Sequence, residues 1–285
     1  AAGWKNRRMQ RLLLMASVCL AFGAAAQGKI QWHDVTQWGV EGRGWGDQDR
    51  LRWFDRFPAK AEETVTKAVW GLSRHSAGMM VRFKTDATEI HAQWKLMSAR
   101  LGMPHMPPSG VSGLDLYARD AKGHWRWAAA TRPGKQEMQT ALLRGIAPGM
   151  REYAVYLPLY NGTESLSIGV PAGAKFEGLA PRKAKPILFY GTSITHGACA
   201  SRPGITHPAI LGRRLDRPVI NIGFSGNGRM HEAVGKLMAE VDAACYVIDC
   251  LPNMNAAMVT ERCVPLVKLL RKARPDTPIL LVEDR

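Results

Sequence analysis

Residues 187–196 read Ile-Leu-Phe-Tyr-Gly-Thr-Ser-Ile-Thr-His, and this stretch decides the fold of the C-terminal half. An apolar run stops at Gly191, and Ser193 follows after a single threonine. A short, uninterrupted apolar run is the pattern of a strand buried on both faces of a parallel sheet. The carboxyl ends of such strands are where open α/β sheets place their chemistry. A glycine-flanked serine at that point is a candidate nucleophile presented by a tight turn, although ordinary structural loops carry the same pattern.

The pattern recurs down the chain. Val219-Ile220-Asn221-Ile222-Gly223-Phe224 opens into Ser225-Gly226-Asn227-Gly228, and Ala244-Cys245-Tyr246-Val247-Ile248-Asp249 leads into Cys250-Leu251-Pro252-Asn253-Met254. A fourth run, Pro278-Ile279-Leu280-Leu281-Val282-Glu283, lies near the end. Between the runs, about 204–215, 230–241 and 256–274 carry apolar residues at helical spacing, the last with Lys268, Arg271 and Lys272 where cations suit the helix dipole. Alternating strands and helices with short loops predict a parallel, doubly wound α/β unit. Ser193, Gly226 and Asn253 then fall just beyond three strand ends, on one rim.

Acyl transfer needs a nucleophile together with donors aimed at a developing oxyanion. The Ser193 N–H, the Gly226 N–H and the Asn253 side-chain amide are candidates for those donors, and a glycine at 226 lets the backbone approach a substrate oxygen closely. Taken singly, Gly226 and Gly228 also read as turn glycines and Asn253 as a helix N-cap. Their co-occurrence at matching strand ends favours the site.

The ordered blocks Gly191-Thr192-Ser193-Ile194-Thr195, Asn221 to Gly228, and Asp249-Cys250-Leu251-Pro252-Asn253-Met254 resemble blocks I, II and III of the SGNH (GDSL-type) hydrolases. The resemblance implies serine esterase or acyl hydrolase chemistry on a flavodoxin-like sheet. It implies Ser193 as nucleophile, with Gly226 and Asn253 completing the oxyanion hole. Thr192 stands where the family has Asp, and Met254 where Gly-x-Asn-Asp ends in Asp. Neither change touches a residue given a role. Gly113-Leu114-Asp115-Leu116-Tyr117 is similar to the Gly-x-Asp-Leu-Tyr signature of an N-terminal β-domain that precedes some of these hydrolases.

The family's base is a His in a late Asp-x-x-His motif, which this chain lacks. The expectation is therefore a C-terminally truncated sheet whose Asp and His lie beyond residue 285, and a fragment inactive alone; a pseudoenzyme is the alternative. His196 is near Ser193 but tied to its turn, so a substrate-contacting or surface role suits it better than that of base. His207 and His231 come on or near later helices, and His33, His75, His91, His105 and His124 are expected at the surface. There is no His-Glu-x-x-His and no Cys-x-x-Cys, so neither a metal nor another cofactor is indicated.

Met9-Gln10-Arg11 followed by apolar or small residues from Leu12 to Ala26 reads as a secretory signal peptide, predicting export to periplasm or exterior. The segment is short for a membrane span, and no stable insertion is expected after cleavage. Removing residues 1–26 takes Lys5, Arg7, Arg8 and Arg11 with it, so the net charge falls from +15 to +11. That surface suits anionic partners, but the charges are scattered, without the basic and aromatic motifs of nucleic-acid modules. Cys199, Cys245, Cys250 and Cys263 remain, either paired or as buried thiols.

From residue 27 to about 180 the texture is β. Met80 to Lys84 and Glu89 to Trp94 alternate around a Thr85-Asp86-Ala87-Thr88 turn, and 113–119, 124–131, 138–143, 151–158 and 164–170 are further strand candidates. Such spacing predicts a β-sandwich or jelly roll. The tryptophans clustered between Trp32 and Trp127 are expected in its core rather than on a sugar-binding face. Gly173 to Pro186 reads as a linker. The domain organisation is thus 1–26 upstream residues and signal, 27–178 β-sandwich, and 179–285 a partial SGNH hydrolase domain. The function expected is an exported serine esterase acting on O-acyl, preferably O-acetyl, esters of a carbohydrate. A lipid or small acyl-ester hydrolase, and a non-catalytic glycan-binding relative, are the alternatives; the oligomeric state is open.

Overall fold

The computed structural model describes residues 29–284, so the expected signal segment 9–26 lies outside the described residues. The N-terminal half contains β1 (Ile30–Asp34), α1 (Lys67–Ser73), β2 (Met80–Thr85), β3 (Glu89–Leu96), the single-turn α2 (Pro108–Val111), β4 (Asp115–Arg119), β5 (Trp125–Ala130), β6 (Glu137–Arg144), β7 (Arg151–Tyr156), β8 (Thr163–Pro171) and β9 (Phe176–Leu179). They form two antiparallel sheets, ordered β1-β8-β3-β6 and β5-β4-β7-β2-β9. Their inner faces share one core: Val81 and Phe83 of β2, Ile90, Ala92, Trp94 and Leu96 of β3, Tyr153 and Val155 of β7, Leu166 and Ile168 of β8. The period-two alternation read along 80–84 and 89–94 is this inward and outward pleat.

Three features depart from the sequence-based expectations. Gly173 to Pro186 is not all linker: β9 pairs with β2, and the Phe176 ring anchors it, stacked 3.9 Å from His33 and 5.3 Å from Phe83. A lone aromatic among Lys, Arg and Pro carries no strand pattern to read. The tryptophans divide, with Trp94 buried and Trp127 54% exposed. His75, expected at the surface, is half-buried, its Nδ1 shielded from solvent without a partner.

The second half contains β10 (Ile187–Gly191), the short α3 (Ser193–His196), α4 (His207–Arg214), β11 (Val219–Gly223), α5 (Glu232–Glu240), β12 (Cys245–Asp249), α6 (Ala256–Ala273) and β13 (Ile279–Leu281). The four strands are parallel, in the order β11-β10-β12-β13. Every residue of β10 and β11 is buried, as their unbroken apolar runs require. Leu188, Tyr190, Ile222 and Ile248 face Val234, Leu237 and Met238 of α5 and Leu266 and Leu270 of α6, whereas Ile187, Phe189, Val219 and Val247 form the opposite face with Leu211 of α4. Helices therefore cover both faces.

The halves are not independent in their packing. Phe57, Ala61, Val65, Val69 and Trp70, all earlier in the chain than β2, belong to the core on the α5 and α6 face of the parallel sheet. Strand β4 has both faces buried: Leu114, just ahead of it, and Leu116 enter the sandwich core, while Asp115 and Tyr117 point the other way, towards the parallel-sheet half. All four described cysteines are free thiols. Among the described residues no helix is long and apolar enough to cross a membrane.

Candidate active site

The Ser193 turn is built by close backbone approach. Gly191 pairs with Gly223 on one side and Asp249 on the other, so the three strand ends are level. The Thr192 N–H donates to Asp249 O at 3.1 Å and the Phe224 N–H to Gly191 O at 2.9 Å. A Cβ at Gly191 would collide with the Thr195 side chain, one at Gly223 with the backbone at Thr195 and His196, and one at Gly228 with Gly191 O. These glycines are what allow α3 to start directly on the strand ends. Thr192 caps α3 by accepting from the Ile194 N–H, which leaves Ser193 as its first helical residue, half-buried at the rim. Underneath, Thr195 Oγ1 donates to Asp249 Oδ2 at 2.8 Å and Asn221 Nδ2 donates to Thr195 O at 2.7 Å.

Gly226 and Asn253 stand at the same rim. Phe224 O accepts both the Asn227 and Gly228 N–H at 2.9 Å, closing a turn with Gly226 in the left-handed region at φ +69°. No atom lies within 4 Å of where a Gly226 Cβ would sit, so that site faces open space. Asn253 ends one turn of 3₁₀ helix, Leu251–Asn253, just past β12. The N-cap of α6 is Asn255, which accepts the Met258 N–H at 2.9 Å. Asn253 is thus released from the capping role its sequence also allowed, and its Nδ2 is buried with no hydrogen-bond partner. Neither the Ser193 nor the Gly226 N–H has a protein acceptor among the described residues. Buried donors are almost always paired, so Asn253 Nδ2 is an exception, and it falls past the end of a strand as the Ser193 and Gly226 amides do.

The histidines do not complete a dyad among the described residues. His196 is fully buried, stacked 4.0 Å from Tyr160, with Nε2 at 2.7 Å from Leu159 O. Burial, then the charge of Arg56, holds it well below the usual imidazole range. Its ring is thus engaged with Tyr160 and Leu159, and no hydrogen bond joins it to Ser193 among the described residues. His207 lies edge-on to Phe189 at 5.6 Å, and burial lowers its pKa against the pull of Asp249. His231 is the N-cap residue of α5, its N–H given to Tyr190 Oη.

Two buried charged residues reach this rim from the first half, and neither was singled out from sequence as a site residue. Asp115, fully buried, accepts the Gly204 N–H at 2.7 Å and Trp127 Nε1 at 3.0 Å, with Arg202 Nε at 3.5 Å. It thereby holds the loop that leaves α3. Tyr117 fills the space where a Gly204 side chain would be, and a Cβ at Gly113 would collide with the Ser109 and Thr131 carbonyls. The conspicuous residues of the signature are therefore a clasp between the halves. Burial raises Asp115 to about 6, against the stabilising pull of Gly204, Arg202 and Trp127. Arg56 is the second, and no motif surrounds it.

A family model for GDSL-like lipases and acylhydrolases matches residues 184–285, and one for the N-terminus of SGNH-hydrolase-type esterases matches residues 30–176. Among solved structures the chain is similar to a protein described as a GDSL-like lipase from Bacteroides ovatus, at 32% identity over 89% of this chain and 74% of that one, with a TM-score of 0.83. It shares its fold with the salicylyl-acyltransferase of a tetracycline biosynthetic pathway, at 16% identity, 90% and 72% coverage and TM-score 0.64. It also shares it with an acetyl xylan esterase from the rumen bacterium Butyrivibrio proteoclasticus, at 12% identity, 88% and 80% coverage and TM-score 0.56. No curated protein matched the chain.

Proposed function

The chain belongs to the GDSL-like (SGNH) esterase family with the GxDLY-type N-terminal region, and on that basis we propose that it is an exported serine esterase cleaving O-acyl esters, preferably O-acetyl groups on a glycan. The observation that carries the proposal is the buried, unpartnered Asn253 Nδ2 at the same rim as the free Ser193 and Gly226 amides. In this reading Ser193 Oγ attacks the ester carbonyl carbon. Negative charge then forms on the carbonyl oxygen, held by the three donors, and collapse of the tetrahedral species expels the alcohol. Water cleaves the acyl-enzyme, releasing the acid and regenerating the serine. The serine proton requires a general base, a role for which none of the described histidines is placed. An Asp-x-x-His pair is the proposed source, and residues 27–285 alone are expected to turn over poorly.

The strand order β11-β10-β12-β13 supports a flavodoxin-like reading of the hydrolase unit 179–285, with 27–178 as the sandwich unit. The preference for an acetylated glycan rests on the expected export and on a fold shared with an acetyl xylan esterase. Hydrolysis of p-nitrophenyl acetate by the full-length protein tests the chemistry. Ser193→Ala lowers kcat by about 10⁴-fold or more, and wild-type activity in that variant overturns the assignment. Acetate release from acetylated xylan, measured against cleavage of long-chain esters, separates the glycan reading from the lipid one.

A further inference from the structure

We propose that Arg56 is a positioning residue for the oxyanion hole, locking the end of β11 and the turn that carries Gly226; this rests on the reading of Gly226 as an oxyanion donor. Among the described residues β11 is an edge strand of the parallel sheet, paired with β10 alone. An edge strand has backbone groups with no neighbour to receive them. Here residues from the other half supply the neighbour. Arg56 Nη1 donates to Asn221 O at 3.0 Å and Gly223 O at 2.8 Å, while Nη2 donates to Leu72 O at 2.6 Å in α1. The Gly223 N–H is taken by Asn221 Oδ1 at 2.9 Å.

The guanidinium also lies over the Phe224 ring at 5.0 Å, and Phe57 packs on the same ring at 5.2 Å. Phe224 is the residue whose carbonyl closes the Gly226 turn and whose N–H is tied to Gly191 beside the serine. One side chain therefore grips the two carbonyls leading into the turn and the ring that anchors it. Arg56 is 1% exposed, and among the described residues it has no carboxylate partner, its hydrogen bonds going to carbonyls. Burying a cation whose partners are neutral carbonyls is costly, because burial disfavours the charged form. A violation of this kind is expected where function demands it. That demand is a fixed position for Gly226, because displacing a catalytic donor by about 1 Å can cost about 10²-fold in rate.

The test compares Arg56→Met, Arg56→Lys and Glu240→Ala in the full-length protein. Glu240 joins the halves elsewhere, through Lys60 at 2.8 Å and Trp45 Nε1 at 2.9 Å, and touches no residue of the rim. With p-nitrophenyl acetate, Arg56→Met is expected to lower kcat by roughly 10- to 100-fold with KM nearly unchanged. Arg56→Lys, which keeps a donor and the charge, should recover part of the loss, and Glu240→Ala should keep kcat within about twofold. The same ordering is expected in the rate at which a fluorophosphonate labels Ser193. If Arg56→Met does not fold, the kcat loss of Arg56→Lys at matched melting temperature carries the comparison. Wild-type kcat in both Arg56 variants, or losses that follow melting temperature equally in Glu240→Ala, overturn the proposal alone. A wild type that is not labelled at Ser193 overturns it together with the reading beneath it.

Discussion

Asp115 and Arg56 each carry a buried charged group from the first half of the chain to the rim of the parallel sheet, and their surroundings differ in kind. Asp115 gathers donors: an amide, an indole and a guanidinium converge on one carboxyl group and fasten a loop. Arg56 gathers acceptors: its two Nη groups donate to three backbone carbonyls, its Nε is buried without a partner, and no carboxylate pairs with it among the described residues. The first arrangement resembles an ordinary buried polar network, in which satisfied hydrogen bonds specify how elements meet. The second leaves a cation uncompensated next to a turn with an unpaired amide. One contact between the halves thus serves assembly, whereas the other serves the geometry of the site.

The largest effect bearing on this contrast should come from the site itself. Asn253→Ala removes the orphan donor, which caps no helix, and is expected to lower kcat by about 10²–10³-fold in steady-state ester hydrolysis, with melting temperature little changed. A loss of stability with retained kcat would place Asn253 in the scaffold. Asp115→Ala is expected to do the reverse. It strands the Gly204 and Trp127 donors, so urea denaturation should show a loss of about 2–4 kcal/mol. The fraction that remains folded should keep most of its kcat. An unchanged urea midpoint would remove Asp115 from the assembly side of the contrast.

The smallest effect is a slope. Asp115 is raised to about 6, so between its unfolded value of about 3.8 and 6 the folded state holds more protons, and its contribution to stability is lost as pH rises through 6. His75 is lowered to about 3, first by burial and then by Arg56, and His196 is lowered for the same causes. The unfolded chain takes up their protons below about 6.5, so their contribution is lost as pH falls. His33, His207 and His231 are also lowered by burial, and together the histidines outweigh Asp115 and the likewise raised Asp55, so stability should climb from about pH 4 to 6.5. Asp115→Asn removes its own opposing contribution and should make that climb steeper, as read from urea midpoints across the range. A shallower climb would mean that Asp115 stays ionised and that the clasp is an ion pair with Arg202.

Much of this architecture is legible in the chain itself. The unbroken apolar runs ending at Gly191, Gly223 and Asp249 announce parallel strands, and parallel strands deliver their C-terminal loops to one rim. The alternation along β2 and β3 announces a half-exposed antiparallel sheet by the same steric logic. β9 is not legible, because one aromatic anchor in a basic, proline-containing stretch carries no period. Arg56 is not legible either: an arginine in a loop reads as a surface charge until its carbonyl partners on β11, 165 and 167 residues away, are known.

The information a linear reading captures is local and periodic: which segments are strands, which are helices, and therefore that Ser193, Gly226 and Asn253 lie just past strand ends. Hydrophobic spacing and glycine placement act over a few residues, so the sequence suffices for them. Three-dimensional packing alone settles that Asn255 caps α6 and leaves Asn253 free, that His196 is buried, and that Asp115 and Arg56 hold the rim from the other half. Burial and hydrogen-bond satisfaction depend on which distant groups meet, and those meetings exist only once the chain has packed.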